Sequence, residues 1–207
     1  HTHAFKDSLL GRIPVEWEVA PIEVKLREII DYRGRTPVKT DAGIPLITAK
    51  NVREGYLSEH PQEFIAEDSY EAWMTRGIPA YGDVMLTTEA PMGNVARVPN
   101  YRIALAQRLI TLPTNPDELS SDFLFWVLHW SQTLERLTLL TSGSTVIGIK
   151  QSVFRQVIFS FPELDEQLRI AKALDAEKTV ADMNLKELIK LQSLKKALMQ
   201  DLLSGNK

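Results

Sequence analysis

The residue types best suited to chemistry in this chain are concentrated in one basic segment near its amino terminus. Between Lys25 and Arg53, seven lysines and arginines face three acidic residues, a local net charge of +4 in a chain whose total is −3. Arginine and lysine bind phosphate and the guanine edge, and asparagine binds the adenine edge. The segment predicts a nucleic-acid-binding surface, with an ordinary solvated charged loop as the alternative. Its candidates for base contact are Arg33, Arg35, Thr36, Lys50, Asn51 and Arg53.

Two later loops carry side chains that suit the same ligand. Residues 82–96 predict a strand, a tight loop and a second strand, in which a carboxylate can accept from cytosine N4 and apolar groups can contact a thymine methyl. The candidates there are Thr88, Glu89, Met92 and Asn94. In residues 141–145, hydroxyls such as that of Ser144 predict a phosphate contact, but the loop lacks the lysine of a nucleotide-hydrolysing P-loop.

Enzyme signatures are nearly absent from the sequence. It contains no cysteine, and it lacks the tetrapeptide of adenine methyltransferases, the nucleophile elbow, the zinc-protease helix and the dinucleotide-binding glycine motif. Asp7, Glu23 and Lys25 are of the types that a metal-dependent nuclease uses, in a loose spacing that arises often by chance. The sequence therefore predicts a chain that is not an enzyme and holds no metal, with such a nuclease as a remote alternative.

The composition is that of a folded globular protein. The chain has 207 residues, of which 44% are hydrophobic, and no run approaches the roughly 20 apolar residues of a membrane-spanning helix. The lack of cysteine is typical of a reducing compartment. We therefore expect a cytoplasmic protein that is not embedded in a membrane.

The elements that must position these residues change character at Pro162. Ten of the eleven prolines precede it and none follows it. Short β-rich runs and predicted helices at residues 68–74 and 120–139 favour an α+β globular domain with a mixed or antiparallel sheet over residues 1–162. The predicted strands include residues 44–48, 84–88, 109–112 and 157–161. Residues 163–207 predict a second region, one long helix.

The long helix has the apolar spacing of a coiled coil. About 40 residues at 1.5 Å each make a rod of about 60 Å, which is longer than one flank of a domain of this size. Steps of four and three residues alternate along the predicted seam, with polar interruptions at Glu177, Asn184 and Lys195. We predict that it pairs with another helix rather than folding back on its own domain. The apolar positions of the seam are Ile170, Leu174, Ala181, Leu188, Leu191, Leu198 and Leu202.

An ordered set of motifs resembles one half of a specificity subunit of type I restriction–modification systems. The most specific of them is Phe-Pro-Glu-Leu-Asp-Glu-Gln-Leu-Arg-Ile at residues 161–170, which leads into the long helix. The set covers essentially the whole chain. The matching stretches are residues 5–8, 11–17, 34–37, 43–47, 82–88, 141–145 and 161–170.

The resemblance implies a non-catalytic subunit that recognises double-stranded DNA with a target-recognition domain and docks partners along its helix. Those partners would be methyltransferase subunits carrying S-adenosylmethionine and, through the complex, a restriction subunit that uses ATP and Mg²⁺. Lys25, Lys39 and Arg108 would then contact phosphates. The alternative is an assembly or inhibitory half-subunit that docks partners without contacting DNA.

Members of the family usually have two recognition domains and two helices, whereas this sequence has one of each. Three explanations stay open at this point. The chain is a fragment, the product of a truncated gene, or a half-subunit that forms a homodimer to restore the second half.

Overall fold

Short runs of β-branched and aromatic residues, separated by prolines and glycines, favour short strands before Pro162. The structure is a computed structural model that describes residues 4–141 and 148–205, and its strands are two to four residues long. The strands are β1 (Phe5–Ser8), β2 (Gly11–Pro14), β3 (Glu18–Pro21), β4 (Ile30–Asp31), β5 (Ile44–Ile47), β6 (Val52–Arg53), β7 (Tyr56–Leu57), β8 (Phe64–Ile65), β9 (Val84–Thr87), β10 (Val95–Arg97), β11 (Ala104–Leu105), β12 (Leu109–Leu112) and β13 (Ile158–Phe161).

Five helices complete the described structure and confirm the predicted α+β class with a long carboxy-terminal helix. They are α1 (Tyr70–Trp73), α2 (Ser121–His129), α3 (Ser131–Leu139), α4 (Gln151–Phe154) and α5 (Leu164–Ser204), with short 3-10 turns at Ile22–Lys25 and Glu67–Ser69. Among the described residues, none of the helices combines the length and the apolar composition of a membrane span.

Two sheets carry the core. One is antiparallel, in the order β10-β9-β12-β4, and its central strands β9 and β12 are buried along their whole length. The other has the order β11-β5-β8, with β11 parallel and β8 antiparallel to β5, so a mixed sheet is present as predicted. The remaining pairs are β1 with β2, β3 with β13, and β6 with β7.

A cluster of buried apolar side chains draws on both sheets and on α1. Ile30, Met85 and Leu109 come from the antiparallel sheet, and Leu46 and Ile65 come from the mixed one. Tyr70, Trp73 and Met74 are also buried. The loops that leave these strands therefore start from a rigid, close-packed base.

The predicted helix over residues 120–139 is two helices. Trp130 has an extended backbone (φ −70°, ψ 130°), its N–H closes α2 on the carbonyl of Trp126, and its own carbonyl accepts from the N–H of Thr133 to begin α3. The extended residue interrupts the helical phase. Trp130 is consequently 56% exposed, although the spacing of apolar residues in a single helix over residues 120–139 would place it on the buried face.

The long helix over residues 164–203 is confirmed, and α5 contains 41 residues. The chain divides into two compact units, His1–Leu168 and Arg169–Lys207, a few residues beyond the predicted boundary at Pro162. Gln167 explains this difference. It is 1% exposed, its side-chain oxygen accepts from the N–H of Ser120, and its amide group donates to the carbonyls of Glu118 and Pro162. The first turn of α5 is thereby part of the globular unit.

Candidate nucleic-acid interface

A cleft of about 240 Å³ brings together basic side chains from three separate parts of the sequence. Its walls carry five of the predicted residues, and its floor is formed by small or apolar side chains such as Ala49 and Ala106. Four cations face one carboxylate, Glu63, which leaves the cleft lining with a net charge of +3. The predicted residues that line it are Arg35, Thr36, Lys39, Lys50 and Arg108.

The cations of the cleft are largely available to a ligand. Lys39 makes a salt bridge of 2.7 Å with Glu63 but remains about half exposed. Within residues 4–141 and 148–205, it is the one cation of the four for which a salt bridge exists. Lys50 and Arg108 project from exposed positions. Side chains that carry charge without a partner can neutralise phosphates as they bind.

Backbone strain is concentrated at this cleft. Ala90 and Arg108 are the non-glycine residues with positive φ in the described chain, at 51° and 73°, and both line the cleft. The Arg108 carbonyl accepts from the N–H of Thr88, which ties the strained residue to the end of β9. Strained residues persist where the surrounding structure holds them, and they cluster at binding sites.

The turn that contains Arg33 and Arg35 is tightly held. The Asp31 carboxylate accepts from the N–H of Arg33 at 2.8 Å, and Gly34 takes the left-handed conformation at φ 79°. The Arg33 guanidinium donates to the carbonyl of Ile149 at 3.3 Å, whereas Arg35 lies 5.4 Å from the centre of the Trp73 ring. Both predicted arginines are exposed on this turn.

The structure removes Asn51 from the predicted base-contacting residues. Its side chain is buried at 3% exposure, and its oxygen accepts from the N–H and hydroxyl of Thr48. Its amide nitrogen donates to the carbonyls of Ser58 and Pro61. A side-chain amide with all these bonds has no capacity left for a base edge. Asn51 instead fixes the loop from which Lys50 projects.

The hairpin predicted over residues 82–96 is confirmed as β9, a loop and β10, but the loop side chains have different surroundings from those predicted. Thr88 is 1% exposed and is not available to DNA. Asn94 is partly buried, and its amide donates to the carbonyl of Val52 at 2.9 Å, which uses one of its two N–H donors. Glu89 and Met92 are partly exposed, and Glu89 pairs with Gly148 through its backbone. These two stay candidates.

Lys25 has a structural role, because its charge is paired with two glutamates. Its ammonium lies 2.7 Å from Glu18 and 3.0 Å from Glu118, and its side chain is 11% exposed. Burial acts to lower the pKa of Lys25, but the hydrogen bonds and negative charges of the two glutamates outweigh it and raise the pKa above 10.5. The predicted phosphate contact from Lys25 is therefore wrong for this conformation.

Two predicted residues lie elsewhere. Arg53 is exposed on the β6–β7 hairpin opposite Tyr56, outside the lining of the cleft. Ser144 falls outside the described residues, as do its neighbours 142–147. Arg53 keeps a solvent-facing position from which a base or phosphate contact is possible.

Three neighbours of the site were missed by the sequence argument. Gln107 lines the cleft beside Arg108, and Val38 is 84% exposed between the cleft residues Pro37 and Lys39. Arg76 donates to backbone carbonyls of the arginine turn. Gln107 and Val38 belong to no motif in the sequence. Val38 could still have been predicted as a candidate for contact with a thymine methyl, because it is an apolar residue within a basic loop.

The nuclease alternative finds little support in the geometry. Glu23 accepts from the Gln156 amide and lies 3.7 Å from the Arg155 guanidinium, while Lys25 is engaged by its two glutamates. Within the described ranges, no group of three or more histidine, aspartate or glutamate side chains is placed to hold a metal ion. Two of the three residues that the alternative requires, Glu23 and Lys25, therefore have other partners.

The predicted seam residues lie on an apolar face of α5. Leu174, Leu188 and Leu191 are 39%, 50% and 52% exposed, and Leu198 and Leu202 are 50% and 77% exposed. Ile170 is partly buried and Ala181 is exposed. Adjacent apolar positions widen the face beyond a single stripe: Val180, Met183, Leu185, Ile189 and Leu194.

The family profile described as type I restriction modification DNA specificity domain matches residues 14–193. The chain belongs to this family. Among its relatives, the specificity subunit of type I restriction enzyme MjaVIII from Methanocaldococcus jannaschii is 25% identical over 212 residues, an alignment that covers 98% of this chain and 49% of the relative.

Solved structures share the fold of this specificity-domain chain. The HsdS subunit from Thermoanaerobacter tengcongensis superimposes with a TM-score of 0.61 at 19% identity, covering 95% of this chain and 47% of that one. A chain solved in work on complex assembly and conformational transition of the type I R-M system gives a TM-score of 0.71 at 19% identity, covering 93% and 46%. This specificity-domain chain spans about half the length of the relatives that it matches.

Proposed function

We propose that this chain recognises double-stranded DNA in a sequence-specific manner as a half of a type I restriction–modification specificity subunit, without catalysis of its own. The observation that carries the proposal is the cleft lined by Arg35, Lys39, Lys50 and Arg108. A net charge of +3 at one cleft of a chain with a total of −3 is a local field that suits a polyanion.

The division of work among the side chains follows from their surroundings. Lys39, Lys50 and Arg108 supply phosphate contacts, which give salt-dependent affinity. Arg33 and Arg35, held on their turn, are the candidates for bidentate contact with guanine. Family membership supports this assignment because the matching profile is that of a DNA specificity domain.

The catalytic work of such a system would belong to partner subunits. We propose that this chain acts with methyltransferase subunits, which bind S-adenosylmethionine, and through them with a restriction subunit that uses ATP and Mg²⁺. Such an assembly would work in the cytoplasm.

We further propose that the apolar face of α5 pairs with a second helix, either that of a second copy or that of a second recognition half. At 1.5 Å per residue, 41 residues extend for about 60 Å, and half-exposed leucines recur along that length. Exposed apolar patches of this extent mark interaction sites. Sedimentation velocity should show a dimer that Leu188→Glu with Leu191→Glu dissociates, while Lys186→Glu leaves it intact.

Selection from a random-sequence duplex library tests DNA recognition directly. The 207-residue chain is incubated with the library, and bound duplexes are recovered and sequenced over several rounds. We expect enrichment of a defined motif, and a variant with alanine at Arg35, Lys39, Lys50 and Arg108 should enrich none. The matched control removes four exposed charges of α5 that lie outside the predicted seam: Lys172, Lys186, Lys190 and Lys196.

Two outcomes would refute the proposal. Binding that stays equally tight in the cleft variant would mean that DNA contacts another surface. A folded, dimeric chain that enriches no motif but still co-purifies with a methyltransferase subunit would instead identify an assembly or inhibitory half-subunit.

A further inference from the structure

Arg76 contacts the backbone of the arginine turn twice, although it does not line the cleft. One nitrogen of its guanidinium, Nη1, donates to the carbonyl of Asp31 at 3.0 Å and to the carbonyl of Arg33 at 2.8 Å. These carbonyls lie on either side of Tyr32. The two bonds therefore hold the backbone from which Arg33 and Arg35 project.

The backbone of Arg76 is fixed against the same turn. Its N–H donates to the Tyr32 hydroxyl at 3.0 Å, and that hydroxyl donates to the Gly77 carbonyl at 2.9 Å. The Tyr32 ring is 1% exposed and lies 5.5 Å from the ring of Trp73. Both the side chain and the main chain of Arg76 therefore bind the turn, and the buried Tyr32 ring holds the main chain in place.

Trp73 supports the second arginine of the turn from the same element. Its indole N–H donates to the Leu105 carbonyl at 3.0 Å, which fixes the ring, and the Arg35 guanidinium lies over that ring at 5.4 Å. A cation over an aromatic face is held without loss of its outward hydrogen-bond donors. The segment from Trp73 to Arg76 therefore orients both Arg33 and Arg35.

We infer that Arg76 is a positioning residue for base recognition: it holds the Arg33–Gly34–Arg35 turn in the orientation in which both guanidinium groups meet DNA. The inference rests on the proposed DNA recognition. Arg76 contacts no nucleic acid in this role, and its effect on specificity passes through the two arginines. A recognition contact misplaced by a loosened turn loses its geometry while the overall charge of the surface still attracts phosphate.

The chemistry of the two carbonyl bonds gives a conservative variant. Because both bonds come from Nη1 alone, the lysine ammonium of Arg76→Lys can make them with a single nitrogen, whereas the amide of Arg76→Gln cannot hold both carbonyls with the same reach. A bidentate contact with guanine or phosphate would instead depend on the planar fork, which lysine lacks. Arg76→Lys therefore separates positioning from direct contact.

The test measures affinity by fluorescence anisotropy for the duplex selected by the wild-type chain and for a scrambled duplex, at four salt concentrations. We expect Arg76→Gln to lower the ratio of the two affinities by about tenfold or more, with an unchanged slope of log affinity against log salt. Arg76→Lys should keep a ratio near that of the wild type. The matched control is Arg102→Gln, which removes one charge from an arginine paired with Glu67 and Glu71.

A double-mutant comparison adds a readout that a merely structural role would not change. If Arg76 acts through the turn, Arg76→Gln lowers the affinity ratio no further in a chain that already carries Arg33→Gln and Arg35→Gln. Additive losses would overturn the inference.

Other results would also overturn it. A salt slope that falls by about one in Arg76→Gln, with both duplexes weakened alike, would identify a phosphate contact. If Arg76→Lys lost the preference for the selected over the scrambled duplex, Arg76 would be identified as a direct bidentate base contact. That result would hold even if Arg76→Gln failed to fold. A wild-type chain without preference for any duplex would refute the proposed function itself before any variant is compared.

Discussion

Replacement of Arg108 should change stability and DNA affinity in opposite directions. Arg108 has φ 73°, a left-handed conformation that costs an L-residue about 1–2 kcal/mol, and it lines the basic cleft. Glycine relieves that cost but adds about 0.5–1 kcal/mol of conformational entropy to the unfolded chain. The expected net effect of Arg108→Gly is a gain of about 0.5–1 kcal/mol in the free energy of unfolding.

DNA binding by the same variant should weaken because one phosphate contact is lost. The slope of log affinity against log salt should become shallower by about 0.9, and the loss should be alike for selected and scrambled duplexes. Arg108→Ala is the matched control, since it removes the same charge and keeps the strained backbone. Its affinity should equal that of Arg108→Gly, whereas its unfolding free energy should not rise.

Urea denaturation followed by tryptophan fluorescence gives the first quantity, and anisotropy titrations at several salt concentrations give the second. Equal stability of the glycine and alanine variants would refute the assignment of strain to residue 108. An unchanged salt slope would refute its assignment to the DNA surface, whatever the stability.

The remaining predictions concern residues that the fold itself needs. Lys25→Met should lower the unfolding free energy by about 1 kcal/mol, because two partly exposed glutamates lose their cation. The slope of log DNA affinity against log salt should stay unchanged. A shallower slope would show that Lys25 contacts a phosphate after all. Burial raises the pKa of Asp83 above 3.8 despite the Ala80 N–H bond, so protonation stabilises the wild type as pH falls through that raised pKa. Asp83→Asn should therefore be more stable near pH 7 and show a flatter dependence of urea midpoint on pH; a wild type that loses stability relative to it on acidification would contradict this. Gly93 has φ 91°, and Gly93→Ala places a Cβ 2.1 Å from the Leu134 side chain. The substitution should lower the free energy of unfolding by about 2 kcal/mol or more. Calorimetry of the double variant with Leu134→Ala should show a loss smaller than the sum of the two single losses, and full additivity would exclude the clash.

The sequence predicts the elements of this chain better than their ends and junctions. The runs that form β9 and β12 are mostly apolar because both faces are buried. The helix α5 has neither proline nor glycine within it, so both signals are local. The break at Trp130 is not local. That residue belongs to the helical pattern on either side, and its extended backbone arises where α2 ends and α3 begins.

The site was predictable in its charges and not in its hydrogen bonds. Arg35, Lys39, Lys50 and Arg108 were predicted from their charge, Lys39 and Arg108 with the help of the family resemblance, and the four meet at one cleft although Arg108 is distant in sequence. Asn51 has the right chemistry for an adenine edge and uses it on the backbone of its own fold.

Lys25 and Arg76 both make contacts with residues distant in sequence, which the sequence pattern does not predict. A lysine within a basic segment gives no sign that Glu118, far along the chain, neutralises it. An arginine outside that segment gives no sign that it binds the backbone of residues 31 and 33. Partners remote in sequence decided both outcomes.

The basic cleft also bears on how such a chain can acquire a new target. Its charged residues project from exposed loops, while Leu46, Ala49 and Ala106 beneath them are buried and belong to the framework. Exchange of an exposed side chain usually changes stability by less than about 0.5 kcal/mol. If the chain recognises DNA as proposed, single mutations at Arg35 or Thr36 redistribute contacts among bases without weakening the fold. Recognition would then diverge between lineages while the scaffold is inherited unchanged.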